Sequence, residues 1–252
     1  MNAFGDLQQM QQRGYRPGCH VQLWEWMSGS ARLSAKARQR HISHLHPLDH
    51  RYGHNLGHLQ HQIVALFVLF IFPTNVLWAS PTCTPWSANA RQWPAEERES
   101  QRQREALTLQ LLAVACFIQS VLGRHWAIEQ PHGSDLFEAH GLRLLTGRDA
   151  LIKNFSWIFD QCMLGAESDG KPTKKRTKIA ASFAFQAEPP QCDGSHVHEI
   201  LRGRRGGVSR TAAAAVYPHE LCNIILDEVA STSQQQQLGG VLLRSTSRIC
   251  IA

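Results

Sequence analysis

The chain has 252 residues, 43% hydrophobic and 18% charged, enough apolar material for a globular core and too little charge for wholesale disorder. A net charge of +6 with a pI of ≈ 9.1 suits a polyanionic partner. Seven scattered cysteines without a CxxC pair exclude an obvious disulfide scaffold and predict reduced thiols in an intracellular compartment, nuclear or cytoplasmic.

The amino terminus is polar and Gln-rich (Gln8, Gln9, Gln11, Gln12) and shows no secretory signal. It predicts a disordered arm over 1–18, ahead of a domain over 19–186 and a partly disordered extension over 187–252. Val21 to Met27 alternates and carries aromatics, the pattern of a first strand. Small residues around Gly29 then open a helix to about Arg40. A strand, a glycine turn and a helix bring backbone amides and a helix N-terminus close to a bound cofactor. Ile42 to Leu48 predicts a second strand ending at Asp49. That aspartate lies 20 residues after Gly29, the interval at which α/β nucleotide binders place an acid on ribose hydroxyls. An exposed loop aspartate would read the same way.

Seven of the 14 histidines fall between His41 and His61. His54, His58 and His61 can share a helix face as zinc ligands do, but no nearby thiol or carboxylate completes a set. They read as the polar side of a helix over 55–70 whose inner face is Ile63, Leu66, Phe67 and Phe70. The apolar run from Ile63 to Phe72 is about half a membrane span. It predicts a core helix of a soluble protein with no membrane partner.

Val76 to Ala79 is a short apolar strand, stopped by Ser80 and Pro81 because proline cannot donate to a sheet ladder. Cys83 follows, just beyond the strand's carboxyl end, the edge at which open α/β sheets bind ligands. A thiol on such a Pro-flanked loop is a nucleophile candidate; a small buried packing cysteine is the alternative. Arg91 or the later basic run would give that thiol extra thiolate character. A helix runs from about Pro94 and stops at Gly123. His125 to Ile128 is the next strand and delivers Glu129, Gln130 and Pro131 to the same edge. Gly133 to Leu145 predicts a helix, Asn154 to Phe159 a strand, and Ile179 to Phe185 a last strand after the basic run Lys174–Lys178.

This alternation predicts an α/β fold, a mostly parallel sheet with helices on both faces, followed by an irregular C-terminal extension. In the extension, Cys192, His196 and His198 can join Cys162 around a metal. The spacing C-x3-H-x-H matches no standard finger, and no metal site is assigned. Arg202 to Arg210 reads as a glycine- and arginine-rich loop. Thr211 to Val229 reads as helix around Pro218, with Leu221, Ile224, Ile225 and Val229 packed.

Four marks stand in fixed order: E-W-M-S-G-S-A-R-L-S (25 to 34), S-P-T-C-T-P-W-S (80 to 87), A-I-E-Q-P (127 to 131), and F-D-Q-C-M-L-G with K-P-T-K-K-R-T-K (159 to 178). Together they resemble the catalytic region of DNA cytosine-5 methyltransferases, a Rossmann-like class I methyltransferase fold. More closely, they resemble the methyltransferase-like segments of eukaryotic retroelement polyproteins. The resemblance spans Val21 to Phe185. It implies S-adenosyl-L-methionine as cofactor, held by Glu25, Ser28, Gly29, Ser30, Asp49, Asn55 and Pro81. It implies Cys83 as the nucleophile that adds to cytosine C6, Glu129 as the partner of N3, and Arg176 on the exocyclic edge. Nucleic acid is the implied partner, DNA ahead of RNA. The chain departs from the family pattern: Ala31 replaces the turn's second glycine, Asn55 the aspartate of an Asp-Leu pair, Thr82 the proline before the cysteine and Gln130 the asparagine after the glutamate, and Lys174, Lys175 and Arg176 match a Gln-x-Arg-x-Arg element only loosely. They keep open a catalytically inactive, retroelement-derived binding module. Methyl transfer to an exocyclic amine is a third reading, although that chemistry usually carries a D/N-P-P-Y/F turn where Ser80 to Cys83 stands.

Overall fold

In the computed structural model, the described residues are 18–168, 170–199, 204–205, 208–209, 211 and 214–246, with backbone only at 204–205, 208–209 and 235–246. The arm expected over 1–18 and much of the 202–210 loop lie outside them.

Five strands form the central sheet: β1 (Val21–Trp26), β2 (Thr74–Ala79), β3 (His125–Pro131), β4 (Phe155–Asp160) and β7 (Arg176–Ala181). Their order is β1-β2-β3-β7-β4. β1, β2 and β3 are parallel neighbours, paired Trp26 to Ala79 and Ala79 to Ile128. β7 is antiparallel to both β3 and β4. The reversal follows from its connection. From β4 the chain returns through a short turn and the two-residue strands β5 (Glu167–Ser168) and β6 (Lys171–Pro172), and a link without a crossover helix makes an antiparallel pair.

The second strand expected over 42–48 is reduced to two parallel bridges to β1, Leu23–His44 and Trp26–Leu48. Pro47 interrupts it, having no N–H for the ladder. Met27 N–H nevertheless donates to Leu48 O at 2.6 Å, which fixes the following Asp49 beside the end of β1.

Helices α1 (Arg32–Gln39), α2 (Leu59–Ile71) and α3 (Ala95–Val121) connect the parallel strands, α4 (Arg143–Thr146) is one turn, and α5 (His219–Thr246) closes the described chain. One apolar layer joins Leu69 and Phe72, Leu112 and Cys116 of α3, and Trp126 of β3. The opposite layer joins Leu33 of α1, Val76 and Trp78 of β2, and Leu221, Ile225 and Val229 of α5. Helices therefore cover both faces of the sheet, a Rossmann-like α/β architecture. The helix expected within the C-terminal extension is α5, which runs on past Val229 to Thr246 and packs Leu221, Ile225 and Val229 into the second layer as expected.

Two helix expectations are corrected. The helix over 55–70 begins at Leu59 and buries Ala65, Val68 and Leu69, while Ile63, Phe67 and Phe70 are exposed. The helix over 133–145 divides into a 3-10 turn, Asp135–Glu138, and α4. Between them Gly141 lies against α3, where an added Cβ would stand 3.3 Å from backbone atoms of Leu109 and Gln110.

Candidate active site

The parallel strands end together, so the residues after Trp26, Ala79 and Ile128 share one carboxyl edge. The turn after β1 is tightly wound: Met27, Gly29 and Ala31 all have positive φ, at 53°, 53° and 48°. Glycine is at ease there, whereas Ala31 carries the steric cost of its Cβ. Asp49 fastens this turn. Its Oδ2 accepts Gly29 N–H at 2.9 Å and its Oδ1 accepts Arg51 N–H at 2.9 Å. The 20-residue interval thus corresponds to a direct contact. Glu25 is buried beneath the turn, where its Oε2 accepts Ser34 N–H at 2.9 Å and Ser34 Oγ–H at 2.6 Å. Burial raises its carboxyl to about 7 despite those bonds. Ser28 Oγ, on the same turn, is buried with no hydrogen-bond partner.

A cleft of ≈ 510 Å³ opens at this point, lined by Gly29, Asp49, Asn55, Ser80, Thr82 and the α3 side chains Arg104 and Glu105. Its volume falls in the usual range for small-molecule sites. Gly29, Asp49 and Asn55 reach it as expected. Glu25 does not line it, because Ser34 holds its carboxylate inward. Ser30 is exposed on the turn. Pro81 is buried, and its carbonyl is held by Gln130 Nε2 at 2.5 Å. That bond gives Gln130 a role absent from the sequence reading: it ties the Cys83 loop to the end of β3. Ser134 Oγ–H donates to Gln130 Oε1 at 3.1 Å and fixes the amide's orientation.

Cys83 is half-buried on this loop. Its thiol is pushed up, first by burial and then by the nearby Glu129 carboxylate, with the Lys175 ammonium acting in the opposite direction. The expected extra thiolate character is therefore corrected. Arg91 offers no help because it is bound to Asp135, 2.7 Å away.

Glu129 is buried on β3. Its Oε2 accepts Tyr217 O–H at 3.3 Å. Its Oε1 is buried without a hydrogen-bond donor, and Lys175 Nζ lies 3.6 Å away. Arg176 points elsewhere: its guanidinium is 3.8 Å from Asp160 and its side chain is 48% exposed. Lys175, one residue earlier, is the cation at the Cys83–Glu129 pair.

Tyr217 is the residue that sequence reasoning missed. Its oxygen accepts Trp78 Nε1–H at 3.2 Å and meets Ser80 Oγ at 2.5 Å. One buried phenol from the C-terminal segment thus bridges β2, the Cys83 loop and Glu129. Its position after the arginine-rich loop carries no local signal of this.

No family model matches the sequence, and no curated protein matches it. Sixteen chains of solved structures do. Methyltransferases are among them. Entamoeba histolytica methyltransferase EhMeth is 15% identical, with a TM-score of 0.40, over 69% of this chain and 56% of its own. S. pombe Dnmt2 methyltransferase is 10% identical, with a TM-score of 0.38, over 67% of this chain and 52% of its own. A Spodoptera frugiperda DNMT2 variant is 12% identical, with a TM-score of 0.37, over 70% of this chain and 56% of its own. The chain spans about half the length of these structures.

Proposed function

We propose that this chain transfers a methyl group from S-adenosyl-L-methionine to C5 of cytosine in nucleic acid, DNA ahead of RNA, inside the cell. One observation carries the reading. Cys83 follows β2 and Glu129 lies on its parallel neighbour β3, close enough for the carboxylate to act on the thiol, and Glu129 Oε1 is buried there without a donor. A buried carboxylate oxygen lacking a donor is costly unless a ligand supplies one. A cytosine edge, with N3 protonated and an exocyclic amine, would do so.

The residues fit the cofactor. Asp49 has acceptor capacity left for ribose hydroxyls, and Ser28 Oγ offers a buried polar atom without a partner. When bound, S-adenosyl-L-methionine supplies an electrophilic methyl group. Cys83, once deprotonated, would add to C6 and make C5 nucleophilic; after C5 takes the methyl, a base removes the C5 proton and the C6–S bond breaks, which restores the ring and releases the Cys83 thiolate. Glu129 hydrogen-bonds N3 as charge develops on the ring, and Lys175 stabilises that carboxylate. Gln130 holds the loop that aims the thiol. Exposed Lys174, next to Lys175, adds positive charge for a phosphate backbone. The target base must first leave its stack, at a cost of a few kcal/mol.

A second reading is a catalytically silent, retroelement-derived binding module. The raised Cys83 thiol and the strained Ala31 favour it. A labelled-methyl assay on DNA and RNA, followed by trapping on 5-fluorocytosine, separates the readings. A covalent adduct lost in Cys83→Ser supports C5 transfer. Methylation without an adduct points to an exocyclic amine, and neither signal to the silent module. Calorimetry gives the cofactor's own test: Asp49→Ala weakens binding by about 1–3 kcal/mol, and no binding to the intact chain removes the activity.

A further inference from the structure

Two segments distant in sequence meet at the far end of the same sheet edge. After β4 the 3-10 turn Gln161–Leu164 places Cys162 in a buried position, and Gly165 closes the turn at φ 80°. The second segment is fastened alongside β4. Asp160 N–H donates to Pro190 O at 2.9 Å, Gln191 Nε2 to Ile158 O at 2.6 Å, and Cys192 N–H to Asp160 Oδ2 at 3.0 Å. Asp193 Oδ1 then accepts Ser195 N–H at 2.9 Å, and Gly194 takes φ 77°. This tight reversal carries His196 and His198 back over Cys192, and Glu199 N–H anchors the exit on Pro172 O at 2.8 Å.

One ligand atom each from Cys162, Cys192, His196 and His198 lies within 4.8 Å of every other. Cys192 Sγ is 3.8 Å from His196 Nε2 and 3.3 Å from His198 Nε2. Tetrahedral ligation, with bonds of about 2.3 Å to sulfur and about 2.0 Å to nitrogen, requires ligand atoms separated by roughly 3.3–3.8 Å. The direction of the side chains agrees. Val197, between the two histidines, is 83% exposed, while both imidazoles turn toward the thiols. Burial alone would favour the reverse, with valine inside and the imidazoles in water.

We propose that Cys162, Cys192, His196 and His198 bind one zinc ion. Two thiolates and two imidazoles suit zinc, whereas calcium and magnesium take oxygen ligands. Two thiolates also neutralise the divalent charge in this partly buried setting. All four positions come from the protein, so the ion is structural. It clips the 189–199 segment to the end of β4, next to the basic run Lys174–Arg176. Asp160 supports the site from behind by holding Cys192 through its backbone N–H. The four residues can be grouped from the sequence, but no standard spacing assigns the site, because one ligand comes from the turn after β4 and three from beyond β7.

The full chain, purified under reducing conditions, is expected to carry one zinc ion by plasma mass spectrometry. After zinc removal it takes up Co2+ with the visible bands of tetrahedral thiolate coordination. Zinc content falls to background in Cys192→Ser with His198→Ala, and is unchanged in Cys19→Ser, an exposed cysteine elsewhere. Asp160→Asn weakens zinc affinity about 10–100-fold. Three results overturn the proposal: neither zinc nor cobalt bands in the reduced parent chain, cobalt bands that survive the double exchange, or a parent chain lighter by two hydrogens through a Cys162–Cys192 disulfide. Should the double variant fail to fold, the parent chain's cobalt spectrum decides.

Discussion

Glu25 and the half-buried Cys83 thiol, both at strand ends, titrate in ways that solution chemistry can read. Glu25 has a carboxyl raised to about 7, chiefly by burial, while in the unfolded chain it ionises near 4.5. Between those pH values the unfolded chain has released a proton that the native chain keeps, so stability falls as pH rises. Above the folded value both states are ionised and the curve flattens. Glu25→Gln keeps an acceptor for Ser34 and removes the charge. It should flatten urea-denaturation stability across this window and gain roughly 2–4 kcal/mol relative to the parent at pH 8. A parent whose stability does not change over the window would refute the assignment. At the second strand end, burial and Glu129 hold the Cys83 thiol above its ordinary range. Cys83 should therefore alkylate more slowly at neutral pH than exposed Cys19, with a midpoint shifted to higher pH. Glu129→Gln removes the repelling charge and should speed labelling, whereas Lys175→Met should slow it. Mass-spectrometric labelling rates over a pH series check all three, and equal rates in Glu129→Gln and parent would show that the carboxylate does not act on the sulfur.

At the scale of elements, strands were easier to read than helix faces. Val21–Trp26 and His125–Pro131 lie close to their predicted spans because short apolar or alternating runs bounded by Gly and Pro leave little freedom. Leu59–Ile71 is apolar around most of its circumference, so periodicity alone cannot say which side packs. The structure turns Ala65, Val68 and Leu69 inward and leaves Ile63 and Phe67 more than half exposed. This makes a quantitative prediction. Leu69→Ala should cost about 2–5 kcal/mol through lost burial and the cavity left behind. Phe67→Ser, on the outward side, should stay within about 0.5 kcal/mol of the parent. Comparable losses in the two variants, measured by chemical denaturation, would mean that the helix packs with its other face inward. The same limit explains the division of 133–145. The apolar pattern there suits one helix, but the chain breaks at Gly141, where it packs so close to α3 that an added Cβ would stand 3.3 Å from the backbone of Leu109 and Gln110, and only tertiary packing reveals that.

For the molecule as a whole, the amino-terminal half of the site was readable and its closure was not. Gly29 and Cys83 follow strand ends, Asp49 follows a bridge to β1 and Glu129 lies near the carboxyl end of β3, and parallel strands bring such ends together whatever lies between. Tyr217 and Lys175 carry no comparable signature. Tyr217 reaches Glu129 across 88 positions of sequence, and it does so because α5 lies on the sheet. Leu221, Cys222, Ile225, Leu226 and Val229 of that helix are all buried against the layer containing Leu33, Val76 and Trp78. Each large apolar side chain fully buried contributes about 1.5–3 kcal/mol. These five side chains and Tyr217 together therefore contribute on the order of 10 kcal/mol, comparable to the whole stability of a typical domain. A chain ending at residue 187 should consequently lose cooperative unfolding, expose the face around Trp78 and aggregate. Tyr217→Phe is the milder counterpart. It keeps the ring against Trp78 but removes the oxygen shared by Trp78, Ser80 and Glu129. It should remain folded while losing about 1–3 kcal/mol, and Cys83 labelling should change with it as Glu129 loses a donor. Circular dichroism and urea titration of the two variants decide the point. If the truncated chain unfolds as cooperatively as the parent, the C-terminal helix is an appendage rather than the sheet's second cover.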